Sequence, residues 1–125
     1  MREILFRAKS MFNDKVWVYG NFVKTNYDGL QNVIYDEDGW AYEVIPETVG
    51  QYIGLLDKNG TKIFEGDIVR DAETSDVGKI FFDKYAAMFV IGFENTIADF
   101  NASYSLEVIG NIYDNSELIG GETNG

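Results

Sequence analysis

Hydrophobic and polar positions alternate in short runs along most of the chain, and clusters of Asn, Asp and Gly separate the runs. Such a period of two, bounded by turn residues, predicts strands. "EILFRAK" (3–9) alternates weakly and leads into the turn signal "NDK" (13–15). "VWVYGNFVKT" (16–25) reads as a strand with Trp17 and Tyr19 on one face and Val16 and Val18 on the other. "NYDG" ends it, and "NVIYDEDGWAYEVIP" (32–46) has the grammar of a hairpin around Glu37-Asp38-Gly39. In its second strand Trp40, Tyr42 and Val44 share a face opposite Ala41, Glu43 and Ile45, and Pro46, which cannot donate to a ladder, closes it. "PETVGQY" (46–52) reads as irregular, with a short helical turn as the alternative.

The segment 49–70, "VGQYIGLLDKNGTKIFEGDIVR", is the most turn-rich part of the pattern. Tyr52, Ile53, Leu55 and Leu56 precede "DKNGTK", whose Asn59-Gly60 is a strong hairpin signal because both residues accept positive φ. Ile63 and Phe64 resume the apolar run, Glu65-Gly66-Asp67 forms the next sharp turn, and Ile68 and Val69 open another strand. "DAETSDVG" (71–78) is a polar loop, followed by the strands "KIFFDKY" (79–85) and "AAMFVIGF" (86–93). Phe89, Ile91 and Phe93 face one way and Met88 and Val90 the other, so both faces need cover. "ENTIADFNAS" (94–103) fits either a loop or a helical turn, "YSLEVIGNIY" (104–113) is the last strand, and "SELIGGETNG" (116–125) ends in a tail expected to fray.

This pattern predicts a mainly β fold. The succession Gly66-Asp67-x-Val69, Gly78-x-Ile80 and two later apolar strands suggests a small SH3-like barrel in the C-terminal half, preceded by antiparallel hairpins. An α+β arrangement with one or two short helices is the competing architecture. The expected organisation is one domain over 1–118, with hairpins in 1–48, barrel-like strands in 49–115 and a flexible tail from 119 to 125. Strands apolar on both faces also predict a homo-oligomer, since a chain of 125 residues supplies little cover.

Composition removes several function classes. There is no Cys and no His, which excludes thiolate nucleophiles, sulfur or imidazole metal sites and the Ser-His triad. Ten Lys plus Arg against 21 Asp plus Glu give a formal charge of −11, with the basic residues scattered, so direct nucleic-acid binding is not expected. Acidity serves solubility; the sharper alternative is a surface that imitates nucleic acid or docks on a basic partner. "MREILFRAKS" lacks the long apolar core of a signal peptide, and the longest apolar run is far shorter than a membrane span. A soluble, cytoplasmic protein without membrane contact is the expectation.

Three constellations could carry chemistry. Asp57-x-Asn59-Gly60 and Asp36-x-Asp38-Gly39 invite a calcium reading, but Gly stands fourth, where a hairpin turn requires it, and not sixth as in an EF-hand loop. Glu65 and Asp67 flank Gly66 as a carboxylate pair suited to acid-base hydrolysis, while the structural reading has Asp67 accepting nearby backbone N–H groups. Trp17, Tyr19, Trp40, Tyr42 and Tyr52 could form a stacking platform; without a positive groove, core and oligomer interface are the expected destinations. No phosphate loop is present, since "GLLDKNGTK" lacks the Gly-Lys-Ser/Thr ending. No catalytic residue, metal ligand or cofactor is expected.

The stretch "GQYIGLLDKNGTKIFEGDIV" (50–69), its downstream echo "EVIGNIYDN" (107–115), and "FRAK", "VWVYG" and "YEVIPETVGQY" before it resemble the YopX-like family of phages and prophages. The resemblance marks Gly50, Gln51, Tyr52, Gly54, Leu55, Asp57, Asn59, Gly60, Glu65, Gly66, Asp67, Val69, Gly110 and Asn111 as hallmark residues with a structural role. Ser116 stands where a proline is frequent in the family, and 70–105 carries no recognisable motif. The resemblance implies phage origin, cytoplasmic location and self-association, and no settled activity. Two functions follow as expectations: a non-catalytic accessory module binding itself and a host or phage protein, or a small carboxylate-dependent hydrolase or sugar-binding protein.

Overall fold

A computed structural model describes residues 3–25, 29, 31–100 and 105–120. Its elements are β1 (Phe6–Lys9), β2 (Trp17–Lys24), β3 (Asn32–Tyr35), β4 (Ala41–Glu43), β5 (Gly50–Leu56), β6 (Lys62–Phe64), β7 (Asp67–Asp71), β8 (Val77–Asp83), β9 (Met88–Gly92), β10 (Ile97–Ala98) and β11 (Leu106–Asn111). The strands pair antiparallel, and no α-helix occurs among the described residues. The fold is therefore mainly β; the helical content expected in the α+β alternative is reduced to short 3-10 turns. The chain divides into two compact units, 1–52 and 53–125, at a point inside β5.

The first unit is a four-strand meander, β1 to β4, with the start of β5 returned beside β1 in the order β4-β3-β2-β1-β5. The eight residues of β2 serve two neighbours, Trp17 to Gly20 pairing with β1 and Asn21 to Lys24 with β3. Gly20 sits at the changeover because nothing larger fits: a Cβ there would stand 2.0 Å from the Tyr35 carbonyl oxygen. The end of β1 is tied to the chain leaving β4. Ser10 bridges Val44, Met11 N–H donates to Glu43 O at 2.8 Å, and Ile45 N–H donates to Lys9 O at 2.9 Å. Ala8, Val18, Ile34 and Val44 are buried together from successive strands, with Phe6, Phe22 and Val49 packed against them.

Segment 46–52 is more regular than its sequence suggests. Pro46–Thr48 forms a 3-10 turn with Pro at its start, where a missing N–H costs nothing. The buried Thr48 hydroxyl donates to Ile45 O at 2.7 Å and accepts Lys9 N–H at 2.9 Å, which fastens the turn to β1. β5 begins immediately afterwards, Gly50 and Gln51 pairing with Arg7 and Phe6. The irregular reading fails because the ordering signal is a long-range bond to β1 and not a local pattern.

In the second unit the remainder of β5 neighbours β6, and a five-stranded sheet runs in the order β10-β9-β8-β7-β11. Ile53, Ile63, Val69, Ile80, Ile91 and Leu106 form its core, covered by Phe89, Phe93, Phe100 and Val108. Val90 and Ile91 are both buried, as two apolar faces require. β10 replaces the expected loop or helical turn: Ile97 and Ala98 pair with Gly92 and Ile91, and Phe93 N–H donates to Thr96 O at 2.8 Å. Two residues are too few to show alternation. The sheet ends at β10 and β11, and no ladder among the described residues closes it into a barrel. Of the tail expected from 119, Ile119 lies in the 3-10 turn Ser116–Ile119, which Gly120 ends at φ 68°; the rest, 121–125, lies outside the described residues.

Candidate functional site

The hallmark segment is organised by one carboxylate. Asp57 Oδ1 accepts the N–H groups of Asn59 at 2.8 Å and Thr61 at 2.9 Å, while Oδ2 accepts that of Val108 in β11 at 2.9 Å. Gly60 N–H donates back to Asp57 O at 3.0 Å and lies at φ 84°, the conformation its Asn-Gly pair predicts. Lys58 N–H adds a bond to Leu106 O at 2.9 Å, so the turn is laced to β11 from two successive residues. Asp57 is only 6% exposed. Burial by itself would raise its pKa, but the amides of Val108, Thr61 and Asn59, aided by the Lys58 charge, hold the carboxyl below the usual range. Both oxygens are engaged by the backbone.

The next turn follows the same logic. Gly66, at φ 93°, donates its N–H to Ile80 O at 2.8 Å and accepts that of Ile112 at 2.9 Å. Asp67 is 2% exposed, and its Oδ2 accepts Phe64 N–H at 2.7 Å. A carboxylate sealed from solvent and held by an amide is not offered to a substrate, and Glu65, half-buried beside it, lines neither of the grooves described below. The other hallmark residues also have structural surroundings. Gly50 is buried and Tyr52 N–H donates to Leu5 O at 2.8 Å. Gly54 has φ 93°, Leu55 is exposed, and Val69 is in the core. A β-bulge at Ile109 separates the pairs Val108–Val69 and Gly110–Ile68. A Cβ on Gly110 would meet Asn115 Oδ1 at 2.6 Å, the atom that accepts Asn111 N–H at 3.1 Å.

The other acidic turn, in the first unit, has a different surrounding. Asp36 Oδ1 accepts the N–H groups of Asp38 at 3.0 Å and Trp40 at 2.9 Å, and Gly39 N–H donates to Asp36 O at 3.0 Å. Partial burial, Asp36 and then Asp38 together raise the Tyr42 pKa, the signature of a local negative field. Among the described residues, no group of three or more acidic side chains is arranged to hold a metal ion.

These groups border a groove of about 680 Å³. Trp17, Tyr19, Tyr35 and Tyr42 supply its aromatic lining, and Glu3, Asp36, Glu37 and Asp38 its charge; no Lys or Arg lines it among the described residues. The Arg7 guanidinium lies 4.7 Å and the Lys9 ammonium 5.7 Å from the Trp17 ring, so that ring already carries cations. Of the five aromatics singled out from sequence, three meet here. Tyr52 is buried instead, and Trp40, 69% exposed, is outside the lining. Tyr35 joins through its register opposite Asn21, a cross-strand relation that the pattern of one strand does not reveal. A second groove of about 790 Å³, between β8, the β9–β10 turn and the C-terminal 3-10 turn, mixes Asp76, Lys79 and Glu94 without an aromatic cluster.

No helix among the described residues is long and apolar enough to cross a membrane. The family model described as "YopX protein" matches residues 5–120, and the chain belongs to that family. No curated protein matches it significantly. Among solved structures, the crystal structure of protein EF1440 from Enterococcus faecalis is similar at a TM-score of 0.61 and 23% identity, covering 95% of this chain and 99% of that one. At that identity the likeness speaks for the fold alone.

Proposed function

We propose that the protein is a non-catalytic, self-associating interaction module, encoded by a phage or prophage and acting on a host or phage protein in the bacterial cytoplasm. One observation carries this reading: the hallmark carboxylates Asp57 and Asp67 are buried and bonded to backbone amides, whereas large aromatic side chains remain on the surface. Residues that bind backbone stabilise a scaffold; exposed aromatics make contacts. Source and compartment follow from the family resemblance. The five strands β7 to β11 form a four-strand meander with the fifth returned beside the first, a connectivity that supports an SH3-like scaffold, although its closure is part of the proposal.

Self-association is assigned to the β8–β9 hairpin. Phe82, Tyr85 and Met88 are exposed there, Tyr85 to 90%, and Phe82 stacks edge-on against Phe89 at 5.3 Å. Light scattering on the full chain at micromolar concentration is expected to give a multiple of the chain mass, reduced to one chain by Phe82→Ser with Met88→Ser. A monomer for the unmodified chain would contradict self-association. Strand addition is less well supported, because β4 continues into bonds with β1 and the outer side of β11 receives the Asp57 turn. A sugar-binding reading is favoured only by the coexistence of aromatics and carboxylates in the first-unit groove.

A further inference from the structure

We infer that Asn59-Gly60 is a self-modification site, held shut by its own turn and converting Asn59 irreversibly to isoaspartate when that turn opens. Asparagine supplies the electrophile, a side-chain amide carbon close to the next backbone nitrogen. Glycine supplies the nucleophile, a backbone nitrogen that no Cβ of its own residue shields. Attack of the Gly60 nitrogen on Asn59 Cγ closes a cyclic imide. The N–Cγ bond forms, the Cγ–Nδ2 bond breaks, and Nδ2 leaves as ammonia with the proton of the Gly60 N–H. Water then opens the ring at either carbonyl. Cleavage of the bond to Cγ leaves aspartate in an ordinary main chain; cleavage of the original peptide bond leaves isoaspartate, whose backbone runs through the former side chain. Lys58, Asn59 and Gly60 are all exposed, so water reaches the pair.

The fold sets the rate. The nucleophilic N–H of Gly60 is engaged, donating to Asp57 O at 3.0 Å, and Gly60 is fixed at φ 84°. Asp57 Oδ1 holds the amides on either side of the Gly60 N–H, Asn59 at 2.8 Å and Thr61 at 2.9 Å, and Asp57 N–H donates to Thr61 O at 2.8 Å. Asp57 is itself buried and anchored to Val108, so the pair reacts only when this bonded turn opens. The same bonds decide what the reaction does. Isoaspartate adds a backbone carbon between position 59 and Gly60, which removes the spacing that lets one carboxylate accept amides two and four residues on. Modification therefore loosens the joint between the β5–β6 hairpin and β11. Asp38-Gly39 holds the same places in the first-unit turn, with Gly39 N–H donating to Asp36 O at 3.0 Å. A carboxylate is a far poorer electrophile than an amide, which leaves Asn59 as the reactive member of the two turns.

The test incubates the full chain at mildly alkaline pH, folded and unfolded in urea, and follows Asn59 by peptide mapping. Asn124-Gly125, the second such pair in the sequence and outside the described residues, is tracked separately. An isoaspartate-specific methyltransferase reports the rearranged product. Asn59 is expected to react in the unfolded chain and at least about tenfold more slowly in the folded one. Urea below the unfolding midpoint should raise the folded rate, because it favours opening. Asn59→Gln, whose longer side chain closes the ring poorly, should suppress the product. A folded rate equal to the unfolded one, or unmoved by urea, would overturn the gate; an Asn59 that stays unreactive in the unfolded chain would overturn the site. The modified chain, separated by its added negative charge, should have a lower urea midpoint than Asn59→Asp, which carries that charge on an unaltered backbone. Equal midpoints would overturn the link from position 59 to β11.

Discussion

The chain writes nearly the same turn twice, as Asp36-Glu-Asp-Gly-Trp40 and as Asp57-Lys-Asn-Gly-Thr61. In both, Oδ1 of the first Asp accepts the N–H groups two and four residues on, and the Gly takes a positive φ, 87° at Gly39 and 84° at Gly60. They differ in what the second side of the carboxylate meets. For Asp57 it is the amide of Val108, 51 positions away, so the turn becomes a joint between β11 and the β5–β6 hairpin. For Asp36 no bond to a distant amide is seen among the described residues, and its charge helps to raise the pKa of Tyr42, which lines an aromatic groove with it. Local turn chemistry is thus shared, and tertiary placement alone divides a structural carboxylate from one that shapes a surface.

The largest effect expected from disturbing this comparison lies beneath the exposed turn. Gly20→Ala would place a Cβ 2.0 Å from the Tyr35 carbonyl, and no side-chain rotation relieves a clash with backbone. Forcing β2 from β3 should cost several kcal/mol, roughly 3 or more, and should abolish the groove; circular dichroism melts and the amide shifts of Tyr35 and Asp36 would show it.

Acid should separate the turns next. The folded chain holds the Asp57 carboxyl below its ordinary value, so the unfolded chain binds more protons near pH 4, and the Asp57 contribution is complete above that pH. It is lost as pH falls further, through the folded-state value. Urea midpoints are expected to drop below about pH 4, with a shallower drop in Asp57→Asn. Asp71, lowered chiefly by the Glu73 amide, against partial burial and with help from the Ser105 hydroxyl, keeps its own share of the slope in both proteins. An identical pH profile for Asp57→Asn would show that its carboxylate is not the one the fold depends on.

The smallest difference is expected at the glycines. A Cβ at Gly39 or Gly60 meets nothing within 4 Å, so Val at either site suffers only the strain of positive φ, about 1–3 kcal/mol. Gly39→Val and Gly60→Val should therefore lower stability about equally in thermal melts. A much larger loss at Gly60 would mean that the two turns differ in backbone as well as in surroundings.

What the sequence discloses follows the range of each interaction. Strands with period two and turns marked by Asn59-Gly60 and Glu65-Gly66-Asp67 are local, and they stand where alternation and turn grammar place them. β10 is missed because two residues carry no period, and the Pro46–Thr48 turn because its ordering bond runs from Lys9 to Thr48. The capping role of Asp67 was legible, being three residues from its Phe64 partner. The reach of Asp57 to Val108 was not, nor was the meeting of Tyr35 with Trp17, Tyr19 and Tyr42, since each depends on register between strands. The resemblance to the family identified the hallmark residues; it could not say which carboxylates face backbone and which face solvent.

The central claim, one turn grammar with two roles, is tested most directly by Asp57→Ala and Asp36→Ala measured side by side for urea stability. Asp57→Ala leaves three amides without their acceptor, one of them in β11, and should cost about 3 kcal/mol. Asp36→Ala leaves two amides at an exposed turn to water and should cost about 1 kcal/mol or less. A much larger loss with Asp57→Ala is the predicted result, and equal losses would contradict the account.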